Sequence, residues 1–151
     1  MIAYRISRRE YGDAAFSGIG SAYATQRWNS RNTPIVYASG SLALATLEIL
    51  VYLSSHTRLA RLEYVYFAIE VAPRFIETVS EAKLPPDWKA YPHSRSTQKI
   101  GDKWYAEKRS LALVVPSAVV PTEMNILFNP LHEDFKKLVI PNPQTFEFDH
   151  R

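Results

Sequence analysis

Residues 42–53, LALATLEILVYL, constrain the fold of this chain more than any other segment. Only Thr46 and Glu48 interrupt an otherwise apolar run, and they leave almost no polar face on a helix. A helix that is apolar on all sides belongs in a core or in a membrane. At this length it rises about 18 Å, well short of the roughly 30 Å hydrocarbon layer of a bilayer. The pattern therefore predicts a buried helix at about 41–54, with Ser39-Gly40-Ser41 supplying its N-cap. A carboxylate in such surroundings is costly unless it is paired and hydrogen-bonded. Glu48 is thus either half of a buried ion pair with an arginine or an acid retained for chemistry.

The 151 residues suffice for one hydrophobic core and leave too few for a second, so residues 1–151 are expected to form a single domain. Cysteine is absent, which excludes a disulfide scaffold and thiolate metal sites. No run of about 18 apolar residues occurs and no basic-then-apolar leader opens the chain, so a cytoplasmic protein without membrane contact is expected. Charge is distributed unevenly. Residues 1–61 carry seven basic side chains, all arginine (Arg5, Arg8, Arg9, Arg27, Arg31, Arg58 and Arg61), against three acids (Glu10, Asp13 and Glu48), a net of +4. The remainder carries eleven basic against twelve acidic side chains, a net of −1. The planar guanidinium suits bidentate binding of phosphate or carboxylate, so the surplus is either a solvated basic face or a site for a small anion. A nucleic-acid footprint would need dense Lys/Arg runs or an aromatic-basic repeat, and the chain has neither.

Strands are expected at 2–7, 35–38, 61–71, 75–79 and 111–115, with an edge strand at 145–148. Helices are expected at 94–109, capped by Ser94, and at 131–138, and Gly101 weakens the interior of the first. Residues 17–33 are small and polar and read as a long loop, a place where compact domains often carry function. Strands and helices interleave without a strict βαβ rhythm, which favours the α+β class.

Three other positions stand out. Arg27, in Gln26-Arg27-Trp28-Asn29, lies in the long loop ahead of the strand leading to Glu48, either as a rim contact or as an anion clamp beside a flat stacking surface. Tyr37 packs within the sheet or stands at a cleft mouth. Ser117 follows the strand at 111–115 but lacks the Gly-x-Ser-x-Gly elbow, and taken alone it is a turn residue. His56, His93, His132 and His150 are scattered without a triad order, so a serine hydrolase is disfavoured. No paired-histidine motif or acidic calcium loop occurs, and no metal is expected. Neither a Gly-x-Gly-x-x-Gly turn nor a Walker A loop is present, so a nucleotide, if bound, is held in some other way.

Together these residues resemble the RES family, named for its Arg, Glu and Ser, the toxin half of a bacterial toxin–antitoxin pair. The resemblance runs from Tyr4-Arg5 through Arg27-Trp28-Asn29, Val36-Tyr37-Ala38-Ser39 and Leu44-Ala45-Thr46-Leu47-Glu48. It continues in Leu84-Pro85-Pro86-Asp87-Trp88, Gly101-Asp102-Lys103-Trp104, Val115-Pro116-Ser117-Ala118 and Glu123-Met124-Asn125, and closes with Phe128-Asn129-Pro130-Leu131-His132. The chain departs from the pattern in carrying Thr25-Gln26 where a glycine usually precedes the loop arginine. The resemblance implies a compact α+β domain similar to ADP-ribosyltransferases, with mixed sheets. It implies NAD as substrate, cleaved at the nicotinamide–ribose bond, with the ADP-ribosyl group passed to water, phosphate or a protein. Catalytic roles are implied for Glu48, Arg27 and Ser117, and an NAD site lined by Arg27, Tyr37, Trp28, Arg5 and Asn125. The implied partner is a cognate antitoxin with a helix-turn-helix part, through which alone DNA would be reached, and whose C-terminal region covers the cleft.

That chemistry agrees with the residues. Breaking the bond leaves an oxocarbenium-like ribose, which a fixed carboxylate stabilises, while nicotinamide departs as a neutral base that needs no strong acid. Two other readings remain. An RNA-cleaving toxin would use the arginines for phosphates and a histidine as acid or base, and a partner-binding module would use no chemistry at all.

Overall fold

A computed structural model describes residues 1–53 and 62–149. His56, Arg58, Arg61 and His150 lie outside the described residues, as does the start of the strand expected at 61–71. Seven strands form one sheet: β1 (Ile2–Arg8), β2 (Val36–Ser39), β3 (Tyr64–Glu70), β4 (Ile76–Thr78), β5 (Ala112–Pro116), β6 (Met124–Phe128) and β7 (Gln144–Phe146). Their order is β4-β5-β6-β2-β1-β3-β7, with β4 and β5 parallel and every other pairing antiparallel. Among the described residues three α-helices accompany the sheet: α1 (Ile19–Ala22), α2 (Leu42–Tyr52) and α3 (Arg95–Glu107). The α+β class and the mixed sheet are as expected. Strand β6 falls where none is expected from the sequence, and the segment expected as a helix at 131–138 is a 3-10 turn at Glu133–Lys137.

Alternation along the central strands separates two apolar layers. On one side Val36, Ala38, Ala112, Val114, Ile126 and Phe128 join Phe16, Phe67 and Phe75 in the larger cluster. On the other side Leu113, Val115 and Leu127 pack with Trp104 of α3 and with Trp28 and Ile35. A third cluster lies under α2, where Ala45 meets Ile6 and Tyr64.

Helix α2 is present with its predicted cap, since Ser41 Oγ accepts the Leu44 N–H at 3.0 Å. Its burial is one-sided, contrary to the expectation of a central helix. Leu44 and Ala45 are buried against the sheet, whereas Leu47, Val51 and Tyr52 are 42%, 66% and 70% exposed. An apolar sequence states what exposing each face costs; it does not state which face a neighbour covers. The helix spans one wall of a cleft, and that position gives Glu48 an open side.

Candidate active site

The turn from β2 into α2 sets the site. Gly40 N–H donates to the Met124 carbonyl at 2.9 Å, and a Cβ on Gly40 would stand only 3.1 Å from that oxygen, so the chain turns tightly against β6. Two helical turns beyond the cap, Glu48 lies on the side of α2 facing the sheet. There Ser39 pairs in register with Asn125, and Asn125 with Val115. Ser39 Oγ donates to Asn125 Oδ1 at 2.8 Å, which fixes the amide so that its Nδ2 donates to Glu48 Oε1 at 2.7 Å. Ser117, one residue past β5, donates its hydroxyl to the same oxygen at 2.7 Å while accepting the N–H groups of Val119 and Val120 at 3.0 and 3.1 Å.

Glu48 is therefore held by two neutral donors on one oxygen. Among the described residues no Lys, Arg or His lies in ion-pair contact with it, and its second oxygen has no hydrogen-bond partner. The ion pair with an arginine that the sequence left open is not formed by any of the described residues.

Glu48, Arg5, Arg27, Tyr37 and Asn125 all line one cleft of about 1210 Å³. That volume exceeds the roughly 300–1,000 Å³ of ordinary small-molecule pockets and admits a dinucleotide-sized ligand. Arg27 Nη1 donates to the carbonyls of Trp88 and Ala90 at 2.7 and 3.1 Å, leaving its Nε and Nη2 without partners among the described residues. Burial holds the Arg27 guanidinium below its usual pKa, and the charge of Glu48 pushes it back up. Arg5 is drawn down to about 10 by burial, and its Nε and Nη1 donate to the carbonyls of Ala15 and Tyr37 at 2.6 and 2.7 Å. Two of its donors are thus occupied in joining β1, β2 and the turn after β1.

Tyr37 donates to Asn29 Oδ1 at 2.5 Å and accepts the Trp28 N–H at 3.3 Å. Burial raises its pKa far above the usual phenol value, the hydrogen bond from Trp28 opposing, so the hydroxyl stays a donor. Two expected site residues are placed differently. Trp28 belongs to the cleft wall but is only 2% exposed, with its side chain packed in the layer beneath the sheet, so it offers little ring face to a ligand. Ser117 is fully buried and does not line the cleft; it reaches the site only through Glu48.

Other residues at the site carry no motif. Ser39 and Asn29 are buried and orient Asn125 and Tyr37. Tyr91 and His93 line the cleft near Arg27, with their rings edge to face at 5.4 Å. Burial and then the Arg27 charge lower the His93 pKa. Their loop position and isolation in the sequence give no local signal. No group of three or more His, Asp or Glu side chains arranged to hold a metal occurs among the described residues. No helix among them is long and apolar enough to cross a membrane.

Sheet, helix and cleft together define an α+β protein that sets a carboxylate and an arginine in one cavity, with no direct ion pair to that carboxylate among the described residues. The crystal structure of the M. tuberculosis MbcT–MbcA toxin–antitoxin complex contains a chain of the same fold, with a TM-score of 0.75 over 97% of this chain and 84% of that one, at 15% identity. The RES domain model matches residues 2–150, and the chain belongs to the RES domain family. Curated relatives are named as toxins. Toxin Res of Photorhabdus laumondii is 37% identical over 139 residues, covering 92% of this chain and 88% of the relative. Toxin Res of Yersinia enterocolitica is 36% identical over 152 residues, covering 100% and 99%. The Prs ADP-ribosylating toxin of a Sphingobium species is 35% identical over 146 residues, covering 95% and 89%.

Proposed function

We propose that this protein is a toxin that depletes NAD by cleaving the nicotinamide–ribose bond. The observation that carries the reading is Glu48: a carboxylate at the wall of a dinucleotide-sized cleft, fixed by Ser117 and Asn125 through one oxygen, with the other oxygen open. Heterolysis sends the bonding electron pair to the nicotinamide nitrogen and leaves positive charge on the ribose, where Glu48 stabilises it. The free donors of Arg27 bind the phosphates and orient the dinucleotide, and Arg5 adds positive potential at the floor. Ser117 is a positioning residue for Glu48. Water, phosphate or a protein side chain then captures the ribosyl carbon and gives up a proton. The name of the Sphingobium relative supports a protein acceptor as one of these outcomes.

The partner is a cognate antitoxin with a helix-turn-helix part, bound over the cleft mouth, where α2 offers exposed Val51 and Tyr52. Purified protein incubated with NAD is expected to release nicotinamide, and Arg27→Ala is expected to fold yet keep only a small, measurable fraction of the activity and lose growth inhibition. No loss of NAD, with or without added phosphate, overturns the proposal. A histidine beside an arginine in a cleft is also what an RNA-cleaving toxin would use, so degradation of total RNA by the same preparation would favour that reading instead.

A further inference from the structure

The loop carrying Arg27 is gripped from outside the cleft by α3. Gln98, Gly101 and Asp102 are three and four residues apart and share one face of that helix. Gln98 Nε2 donates to the Gln26 carbonyl at 3.0 Å. Asp102 Oδ1 accepts the Ser30 N–H at 3.0 Å and Asp102 Oδ2 accepts the Ser30 hydroxyl at 2.5 Å. Between them Gly101 lies so close to the loop that a Cβ there would stand 1.7 Å from the Trp28 carbonyl oxygen. The helix thus holds residues 26, 28 and 30, on both sides of Arg27. Its own placement is fixed by fully buried Trp104, whose Nε1 donates to Ser110 Oγ at 2.8 Å. Asp102 has no cation within ion-pair distance among the described residues, and the hydrogen bonds its carboxylate accepts there come from Ser30.

We propose that Asp102 is a positioning residue for Arg27, locking the loop through Ser30 so that the guanidinium meets the phosphates of the dinucleotide at a fixed distance from Glu48. This rests on the NAD-consuming reading above. Neither Asp102 nor Ser30 lines the cleft, so Asp102 acts on the site from behind it, through the loop and through its charge near Tyr37; the Asn variant, which keeps the anchor and removes the charge, separates the two. A displacement of about 1 Å in a clamp of this kind is enough to weaken substrate binding strongly.

The test compares Asp102→Ala, Asp102→Asn, Arg27→Ala and the Arg27→Ala/Asp102→Ala double variant, each checked by thermal melting, for KM and kcat with NAD. Amide hydrogen exchange at Ser30 is followed alongside. Asp102→Ala is expected to raise KM about tenfold with kcat changed less than about twofold. Asp102→Asn keeps an acceptor for the Ser30 N–H and offers its amide to the hydroxyl, so it should stay within about threefold of the parent. On the Arg27→Ala background the second substitution should add nothing. An unchanged KM in Asp102→Ala, an equal loss in the Asn variant, or the same loss without Arg27 overturns the proposal. Should the parent protein release no nicotinamide, the NAD reading fails by itself. Faster Ser30 exchange in Asp102→Ala then still supports the loop anchor, and unchanged exchange overturns it as well.

Discussion

Glu48→Gln separates a chemical acid from a structural one. The substitution keeps length and shape, and the amide oxygen can replace Oε1 as acceptor for Ser117 and Asn125. Two charge-assisted hydrogen bonds become neutral ones, at about 1 kcal/mol each, offset by relief from keeping a charge partly out of water. The stability change should stay within about 2 kcal/mol, a Tm shift of at most about 8 °C for a chain of this size. The effect on turnover is larger in kind. Positive charge moves from the pyridinium ring to the ribose during bond cleavage, so only the difference in its attraction to Glu48 counts. At an effective dielectric near 20, a carboxylate about 4 Å from the ribose and about 8 Å from the ring favours the transition state by about 2 kcal/mol. Exclusion of water from the occupied cleft raises this toward about 4 kcal/mol, giving an expected loss of about 30- to 1,000-fold in kcat. Nicotinamide release measured by chromatography, beside a thermal melt, reads both quantities. A variant that melts like the parent and retains more than about a fifth of its rate refutes the electrostatic role, and one that fails to fold returns Glu48 to a structural part.

Much of the fold is legible locally. The Ser41 and Ser94 caps, the aromatic and β-branched run of β3 and the apolar run of β5 each announce themselves within a few residues. Strand β6 does not. It is five residues long, starts Met124-Asn125, and becomes a strand because β5 and β2 leave a slot between them. Gly101 reads as a defect in α3 until the Trp28 carbonyl is seen pressed against it. Helix α2 shows the limit of periodicity, since its apolar outer face, with Leu47, Val51 and Tyr52, is exposed.

The site divides in the same way. Glu48 stands out because one acid in an apolar run is conspicuous, but its partners Ser117 and Asn125 come 69 and 77 residues later and only the sheet register unites them. The early arginine surplus separates only in three dimensions. Arg8 pairs with Glu10 and Arg9 with Glu63, Arg5 serves backbone carbonyls, and Arg27 retains free donors toward the cleft. Composition counts charge; it does not say which charge is already satisfied. Trp28 shows the converse, a conspicuous aromatic used for packing.

Three further outcomes follow from the packing and titration of the site. Gly101→Ala adds helix propensity worth about 1 kcal/mol, yet drives a Cβ to 1.7 Å from the Trp28 oxygen, so a net loss of about 3 kcal/mol and a Tm drop of about 6–12 °C are expected; a higher Tm would show that the loop yields freely. His93 has a lowered pKa in the folded chain, so the unfolded chain takes up its proton first and stability is lost as pH falls below 6.5; His93→Gln should flatten the urea midpoint over this acid range, and an unchanged slope refutes the burial argument. Tyr37 works in the opposite direction at high pH. Its folded pKa is raised, so its contribution is complete below the unfolded value of 10.0 and is lost as pH rises from there toward the folded value. Arg5, lowered by burial from the ordinary guanidinium value to about 10, adds stability with rising pH over the same window. The Arg5 contribution persists in Tyr37→Phe, so the difference between the two proteins isolates the phenol. Between pH 10 and 11 that difference should narrow by about 1 kcal/mol, because the parent alone must keep a buried tyrosine protonated. Parallel stability curves for parent and variant across that interval would mean that the Tyr37 hydroxyl meets solvent, and that the wall beside Arg27 is open where the structure closes it.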